Sequence, residues 1–376
     1  MTLRNSRVWA GCVIVAASLV AAACGSSSSP TKTTGTAATT ATSAVTVASG
    51  TINGSGSTLA APIYQQWGST LKGKGLTVNY NPVGSGAGVS QIQSTTVDFA
   101  GSDPALTSTD QSKAKGTLLQ FPVAFGAITL SYNLPGVKSG LKLDGPTIAD
   151  IFLGKITTWN NSAITSLNPG MSLPSTTITV VHRSDSSGTT DGFTTYLSDV
   201  SPTWKSQVGA GKDVKWPGGT GAAKNSGVAA AVKQTTGAIG YVEQAYAIEN
   251  NFTFAAVKNK SGSYVSPTIE NTSAAADGIT VPPNLGITTI NSANPSAYPI
   301  VSQTFLVAYE DQCKTGISES TAKAVKSWLS YAIGAGQSTL GSGSNQLPYA
   351  PLPSSLQSQV APQLNKLVCN GSPLAS

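Results

Sequence analysis

Charged side chains make up only 10% of this 376-residue chain, which has a single histidine and four cysteines. So few histidines and cysteines cannot supply the ligands of a zinc enzyme, and we predict no metal site and no cofactor. Clusters of Lys and Arg with interleaved aromatic residues are also lacking, which argues against nucleic-acid binding. The formal net charge of +6 is modest and suits an anionic ligand or an anionic envelope.

Long hydrophobic runs are lacking beyond the N-terminus, so we do not expect the body of the chain to cross a bilayer. The apolar run Val8–Val20 follows Arg4 and Arg7 and ends shortly before Cys24. This layout predicts a secretory signal over residues 1–23. It resembles a lipoprotein signal, in which Cys24 is lipidated and anchors the exported protein to the outer face of the cytoplasmic membrane. The position three before the cysteine is alanine rather than the usual leucine, so cleavage without lipidation stays open.

Processing of the signal leaves two cysteines in the body, Cys313 and Cys369. An even pair in an exported protein predicts a disulfide, with two buried free thiols as the alternative. Residues 24–44 are rich in Ser, Thr and Ala and cannot bury enough apolar surface to fold. We predict that they form a flexible tether with an end-to-end distance of roughly 25 Å.

The body begins near residue 45 and alternates short β-prone runs with segments of helical length, which predicts α/β architecture. The predicted strands are Val45–Ile52, Leu76–Tyr80, Val97–Ala100, Phe121–Tyr132, Ile178–Val181, Ala238–Val242 and Thr304–Tyr309. The predicted helices are Leu59–Leu71, Gly88–Thr95, Thr147–Leu153, Thr190–Leu197, Ser318–Ile333 and Ser354–Val368.

Four loops of small residues follow predicted strands and precede a helix or turn. They are Gly54–Thr58, Gly84–Gly88, Gly101–Pro104 and Arg183–Thr189. A helix N-terminus offers unpaired N–H groups and partial positive charge, glycine permits close approach, and hydroxyls add donors. Convergence of such loops would bind phosphate or a similar oxyanion, with Arg183 as a charged fork held by Asp185. The alternative is that these residues are ordinary helix caps and turns.

Seven stretches, in order and spacing, resemble the phosphate-binding proteins of bacterial Pst-type ABC importers over almost the whole body. They are GSGSTLAAPIYQQW (Gly54–Trp67), NYNPVGSGAGVSQI (Asn79–Ile92), VDFAGSD (Val97–Asp103), IFLGKITTWN (Ile151–Asn160), RSDSSGTT (Arg183–Thr190), AIGYV (Ala238–Val242) and YPIVSQTF (Tyr298–Phe305).

The resemblance implies a set of phosphate ligands. The donors are Thr58, the backbone N–H of Leu59, Ser85, Ser187, Gly188 and Thr189. Asp103 would accept a proton from the ligand, and Arg183 would pair with its charge. Three departures stand out: Leu59 often corresponds to Phe in the family, the second loop lacks one serine, and His182 occupies a position where Arg is common.

The resemblance also implies a two-lobed, type II solute-binding fold with the ligand in the cleft between lobes. One lobe would comprise residues 45–125 and 302–376, and the other residues 126–301. The hinges would lie near Gly126 and Val301. The implied partners are inorganic phosphate and the permease subunits and ATPase of a phosphate ABC importer, and the implied role is binding rather than catalysis.

Other ligands and functions are alternatives to phosphate binding and delivery. Another tetrahedral oxyanion, sulfate or arsenate, is the alternative ligand. A serine hydrolase needs a base for its nucleophile, and the sole histidine, His182, lies beside Arg183. A surface adhesin would use the tether and anchor equally well. The segment Gly68–Gly75 approaches a nucleotide-binding loop but has Gly75 where that loop requires Ser or Thr.

Overall fold

The computed structural model describes residues 47–375 of the chain. The predicted signal peptide, Cys24 and the tether lie outside the described residues. Across residues 47–375, no helix combines the length and apolarity that a bilayer span requires.

The described residues form a mixed α/β structure. The helices are α1 (Ala61–Lys72), α2 (Ser85–Gln93), α3 (Ser108–Ser112), α4 (Gly145–Phe152), α5 (Ser162–Thr165), α6 (Gly188–Val200), α7 (Pro202–Gln207), α8 (Lys224–Gln234), α9 (Gln244–Glu249), α10 (Ile269–Ala274), α11 (Glu319–Ile333) and α12 (Ser354–Val360). The strands are β1 (Gly50–Gly56), β2 (Leu76–Pro82), β3 (Phe99–Ser102), β4 (Leu118–Tyr132), β5 (Lys142–Leu143), β6 (Thr179–Arg183), β7 (Thr220–Ala222), β8 (Ala238–Glu243), β9 (Thr253–Phe254), β10 (Ala256–Lys258), β11 (Tyr264–Val265), β12 (Val301–Tyr309), β13 (Val368–Cys369) and β14 (Ser372–Pro373).

The main sheet is built around β4, in the order β2-β1-β3-β12-β4-β8-β6-β7. The first part of β4 pairs antiparallel with β12, and its last residues pair antiparallel with β8. The predicted hinge positions are neighbours in this ladder, because Gly126 pairs with Ser302 and Ala127 with Val301. The lobe bounds stay a prediction. Below, "first lobe" means residues 45–125 and 302–376, and "second lobe" means residues 126–301.

Strand β4 is buried along its whole length, which explains its continuous apolar sequence. Its one proline, Pro122, lies where the register to β12 shifts between Thr304 and Phe305. Proline has no N–H for the ladder and is tolerated in a central strand at such a bulge.

On either side of this antiparallel centre, the outer strands of the main sheet run parallel: β1 pairs with β2 and β3, and β6 with β7 and β8. The four predicted loops all lie at the carboxyl ends of strands that have a parallel neighbour, namely β1, β2, β3 and β6, and three of the loops include the last residues of their strand. In open α/β sheets ligands bind at that edge. The topology therefore places all four loops where a binding site is expected.

Helix α1 shows how the first lobe is packed. Its residues Ile63, Tyr64, Trp67 and Leu71 recur on one helical face and are buried. Burial of each such side chain stabilises the fold by about 1.5–3 kcal/mol. The Trp67 ring meets Trp328 of α11 edge-on, with the ring centroids 6.0 Å apart.

The predicted disulfide is confirmed, because Cys313 is bonded to Cys369. The prediction of one helix over Ser354–Val368 is wrong: α12 ends at Val360, and a 3₁₀ turn follows over Ala361–Lys366. Pro362 lacks the N–H that an α-helix would use there.

Most predicted elements are found with their ends shifted by a few residues, and two of these shifts concern the loops near the site. The first strand is shifted from Val45–Ile52 to Gly50–Gly56. Helix α2 begins at Ser85 rather than Gly88, so Ser85 lies in its first turn.

Candidate functional site

Asp103 lies at the centre of the loop cluster and is 1% exposed. The hydroxyls of Ser85 and Thr304 donate to its two carboxylate oxygens over 3.0 and 2.9 Å. Burial raises the pKa of Asp103 and outweighs the hydroxyl donors Ser57, Thr304 and Ser85 and the positive charge of Lys212, all of which lower it. The side chain is thus a desolvated acceptor surrounded by donors.

Ser85 occupies the start of α2 with its side chain turned to Asp103. Its hydroxyl donates to the Asp103 carboxylate and accepts from the Asp103 backbone N–H at 3.3 Å. The hydroxyl proton is therefore directed at Asp103 in this structure. The role of Ser85 as a ligand donor stays a prediction.

Arg183 ends β6 and is 3% exposed. Its Nε and Nη2 donate to the two carboxylate oxygens of Asp185 over 2.7 and 2.5 Å, in a bidentate pair. Burial by itself raises the pKa of Asp185, but the hydrogen bonds and charge of Arg183 outweigh it and lower that pKa. Asp185 thus holds two N–H groups of the Arg183 guanidinium, and other N–H groups stay available for an anion.

The N-terminus of α6 carries the next three predicted residues. Ser187 caps the helix, because its hydroxyl oxygen accepts from the N–H of Thr190 over 3.1 Å. This bond uses a lone pair of Ser187 and leaves its own proton to donate. Gly188 and Thr189 follow in the first turn, where the backbone N–H groups have no partner within the helix. All three are buried.

The two lobes meet at this helix start. A Cβ added to Gly188 would lie 1.9 Å from the backbone oxygen of Asp103, so only glycine allows this approach. The N–H of Gly86 donates to the carbonyl of Ser186 over 3.2 Å across the same gap. Asp103 of the first lobe therefore faces the donor end of α6 in the second.

Thr58 and Leu59 lie between β1 and α1, and each is held by distant residues, Thr58 from the second lobe and Leu59 from the first. The carbonyl of Thr58 accepts from Tyr246 over 2.8 Å, and its hydroxyl accepts from Asn225 over 3.0 Å. The carbonyl of Leu59 lies 2.7 Å from the hydroxyl of Tyr349. The backbone N–H of Leu59 precedes α1 and stays a predicted donor.

Several residues of the cluster were missed from the sequence. They are Lys212, Asn225, Tyr241, Glu243, Tyr246, Thr304 and Tyr349. Each lies in a segment that was not predicted to belong to the site and is brought to it only by the tertiary fold. Tyr241 and Thr304 lie in stretches quoted for the resemblance, AIGYV and YPIVSQTF, which were usable signals.

Glu243 is fully buried at the end of β8, and burial raises its pKa well above the ordinary value. The Tyr349 hydroxyl lies 2.7 Å from one carboxyl oxygen, and the N–H of Ala245 donates to that oxygen over 2.8 Å. Since the same hydroxyl is also close to the carbonyl of Leu59, it links both lobes at the first loop.

The lone histidine has a packing role. The His182 ring stacks on Trp216, with centroids 4.7 Å apart and planes 14° apart. Over the described range, no group of three or more His, Cys, Asp or Glu side chains is placed to hold a metal ion. A surface cavity of about 630 Å³ lies between α1 and β2, but its lining contains none of the predicted ligands.

Comparison with known proteins agrees with this arrangement. The model of the PBP superfamily domain matches residues 33–335. The phosphate-binding protein PstS of Xylella fastidiosa (strain Temecula1) is 40% identical over 313 residues, which cover 82% of this chain and 83% of that protein. Phosphate-binding protein PstS3 of Mycobacterium bovis is 37% identical over 372 residues, 94% of this chain and 97% of that protein.

A phosphate-binding protein structure from Stenotrophomonas maltophilia shares the fold, with a TM-score of 0.60 at 21% identity over 84% of this chain and 94% of that one. The predicted two-lobed α/β solute-binding fold is thereby confirmed. The family match and two near-complete alignments at 37–40% identity lead to one conclusion: the chain belongs to the PstS family of phosphate-binding proteins.

Proposed function

We propose that this protein binds inorganic phosphate in the cleft between its lobes and delivers it to an ABC importer. The observation that carries the proposal is Asp103, a buried acceptor that faces the donor end of α6 across the cleft. A purely donor-lined site would suit any oxyanion. One fixed acceptor among donors suits an anion that still carries a proton.

The proposed ligands are those predicted from the sequence. Thr58, Leu59, Ser187, Gly188 and Thr189 supply hydroxyl and backbone donors, and Arg183 supplies the charge. Ser85 reaches the ligand by turning its hydroxyl away from Asp103. Two facts support the set: these residues lie in loops at the carboxyl ends of β1, β2 and β6, and all of them are buried.

Sulfate and arsenate are the alternative ligands. Arsenate keeps a proton at neutral pH and would pair with Asp103 as phosphate does. Sulfate carries none, so its oxygens would face the carboxylate with no hydrogen bond between them. The geometry therefore favours phosphate over sulfate.

Delivery to a membrane complex is the proposed role of the whole molecule. The partners are the permease subunits and ATPase of a phosphate ABC importer, with Cys24 as the lipid anchor at the outer face of the cytoplasmic membrane. Support comes from the family and from the signal-like order of residues 1–24.

We further propose that the protein is not an enzyme. A hydrolase would need a base beside a nucleophilic hydroxyl. His182 packs flat on Trp216, and its Nδ1 lies 3.0 Å from the carbonyl of Arg183. A surface adhesin stays the other alternative, and it predicts no phosphate affinity.

The test starts from protein stripped of bound phosphate by unfolding and refolding. Titration calorimetry should show one phosphate bound per chain, arsenate competing and sulfate failing to compete. Labelled phosphate should be recovered unchanged, and a p-nitrophenyl ester should not be cleaved. Sulfate binding without phosphate binding, or turnover of the ester, would refute the proposal.

A further inference from the structure

Asn225 is fully buried in the first turn of α8 and contacts both lobes through one amide group. Its Nδ2 donates to the hydroxyl oxygen of Thr58 over 3.0 Å and to that of Thr189 over 3.2 Å. Thr58 belongs to the first lobe and Thr189 to the second. The two N–H groups of one amide thus connect the two threonines that we propose as phosphate ligands.

The orientation of this amide is fixed by a third bond. The backbone N–H of Glu243 points at the Asn225 side chain over 3.0 Å. A backbone N–H can only donate, so the atom that it faces must be the amide oxygen. Both amide N–H groups are therefore turned towards the threonines.

The consequence concerns the protons of the two threonine hydroxyls. A hydroxyl that accepts from an N–H still has its own proton to donate. Thr189 also accepts from Nη1 of Arg183 at 3.4 Å, so both of its lone pairs face donors. Between residues 47 and 375, neither hydroxyl donates its proton to a protein acceptor. An acceptor in the cleft is the partner that remains.

We propose that Asn225 is a positioning residue that turns the hydroxyl protons of Thr58 and Thr189 towards the bound anion from opposite lobes. The inference rests on the proposed phosphate function and adds a residue and a mechanism to it. In this mechanism the amide does not itself contact the anion. It occupies one lone pair of each threonine oxygen and so restricts the directions in which each hydroxyl can donate its proton.

Two variants separate the effects of this amide. Asn225→Leu is close in size and removes both donors, so the hydroxyls rotate freely and phosphate affinity should fall about tenfold. Asn225→Asp keeps the bond from Glu243 but offers an acceptor to the threonines. Their protons would then turn to the new carboxylate, which also repels the anion, so the loss should exceed that of Asn225→Leu. Asn225→Asp serves as the test if Asn225→Leu does not fold.

A matched control is Asn168, another buried asparagine whose amide is fully bonded, to Lys142 and Ile164. Asn168→Leu should lower the unfolding free energy and leave the phosphate dissociation constant unchanged. That result shows that losing a buried amide does not by itself weaken binding.

A thermodynamic cycle gives the decisive readout. In a Thr58→Val/Thr189→Val background there is no hydroxyl proton to orient, so Asn225→Leu should change phosphate affinity by less than about twofold. An undiminished loss in that background would overturn the proposal, as would parental affinity in Asn225→Leu or Asn225→Asp. Failure of the parent protein to bind phosphate would instead overturn the proposed function, so the two failures are distinguishable.

Discussion

At the scale of single residues, Asp103 should determine the choice between phosphate and sulfate. Both of its oxygens accept from hydroxyls, and the side chain is buried against the start of α6. Asp103→Asn can offer an N–H to sulfate, so the preference for phosphate should fall, by up to about 10⁴-fold where the mismatch is fully buried. Calorimetric titration of both anions measures it. A folded variant that still rejects sulfate like the parent would reduce Asp103 to a turn residue.

Asp191, in the first turn of α6, gives a pH dependence of stability. Burial raises its pKa from 3.8 to about 6; the charge of Asp103 adds to the rise, and that of Lys212 opposes it. Because the folded pKa is the higher one, its contribution to stability is full below about pH 4 and is lost as pH rises through about 6. Asp191→Asn should remove a decline of up to roughly 3 kcal/mol.

The measurement is urea unfolding of phosphate-free protein at several pH values from 4 to 7.5. The difference in unfolding free energy between parent and Asp191→Asn should grow in favour of the variant across this range. A difference that does not change with pH would show that Asp191 keeps its ordinary pKa in the folded protein.

At the scale of elements, the disulfide fastens the last segment of the chain to the end of β12. Cys313 and Cys369 are 56 positions apart, and Cys369 is the last residue of β13. The variant Cys313→Ser/Cys369→Ser should lose roughly 2–5 kcal/mol of unfolding free energy, because the unfolded chain regains the freedom of a long loop. Phosphate affinity should stay at the parental value, since neither residue contacts the site. An unchanged unfolding midpoint in urea would contradict this.

Elements with strong local signals were predictable, whereas those that depend on tertiary context were not. Strand β4 and helix α11 were recognised from apolar runs and helical periodicity. Helix α8, KNSGVAAAVKQ, was missed because it combines glycine with small residues and lacks a side-chain cap. Because α8 was not predicted, Asn225 in its first turn was not considered as a residue of the site.

At the scale of the whole molecule, the loops of the site could be predicted from the sequence, but the distant residues that contact them could not. Thr58, Asp103 and Arg183 were identified by their motifs. The pairing of Thr58 with Asn225 spans 167 positions and that of Leu59 with Tyr349 spans 290. No local pattern encodes contacts of that separation, because they form only when the chain folds. The first joins the two lobes, and the second joins the two chain segments of the first lobe.

The close approach of the two lobes can be tested at Gly188, the first residue of α6. Its backbone is not in the left-handed region, so alanine fits the helix itself and should raise helix stability by up to about 1 kcal/mol. The obstacle lies in the other lobe, since the new Cβ would reach the backbone oxygen and carboxylate of Asp103. Gly188→Ala should therefore disfavour the close approach of the two lobes and weaken phosphate binding by about 1–3 kcal/mol, or roughly 5- to 150-fold.

Gly227 of α8 provides the matched control. A Cβ there would lie 3.7 Å from Ala222, an ordinary contact, so Gly227→Ala should gain similar helix stability and bind phosphate like the parent. Small-angle scattering with and without phosphate would report closure: the parent and Gly227→Ala should contract on binding, and Gly188→Ala should contract less. If Gly188→Ala bound and closed like the parent, α6 would not approach Asp103 in the complex. The anion would then have to bind without close contact between the Asp103 carboxylate and the N-terminus of α6.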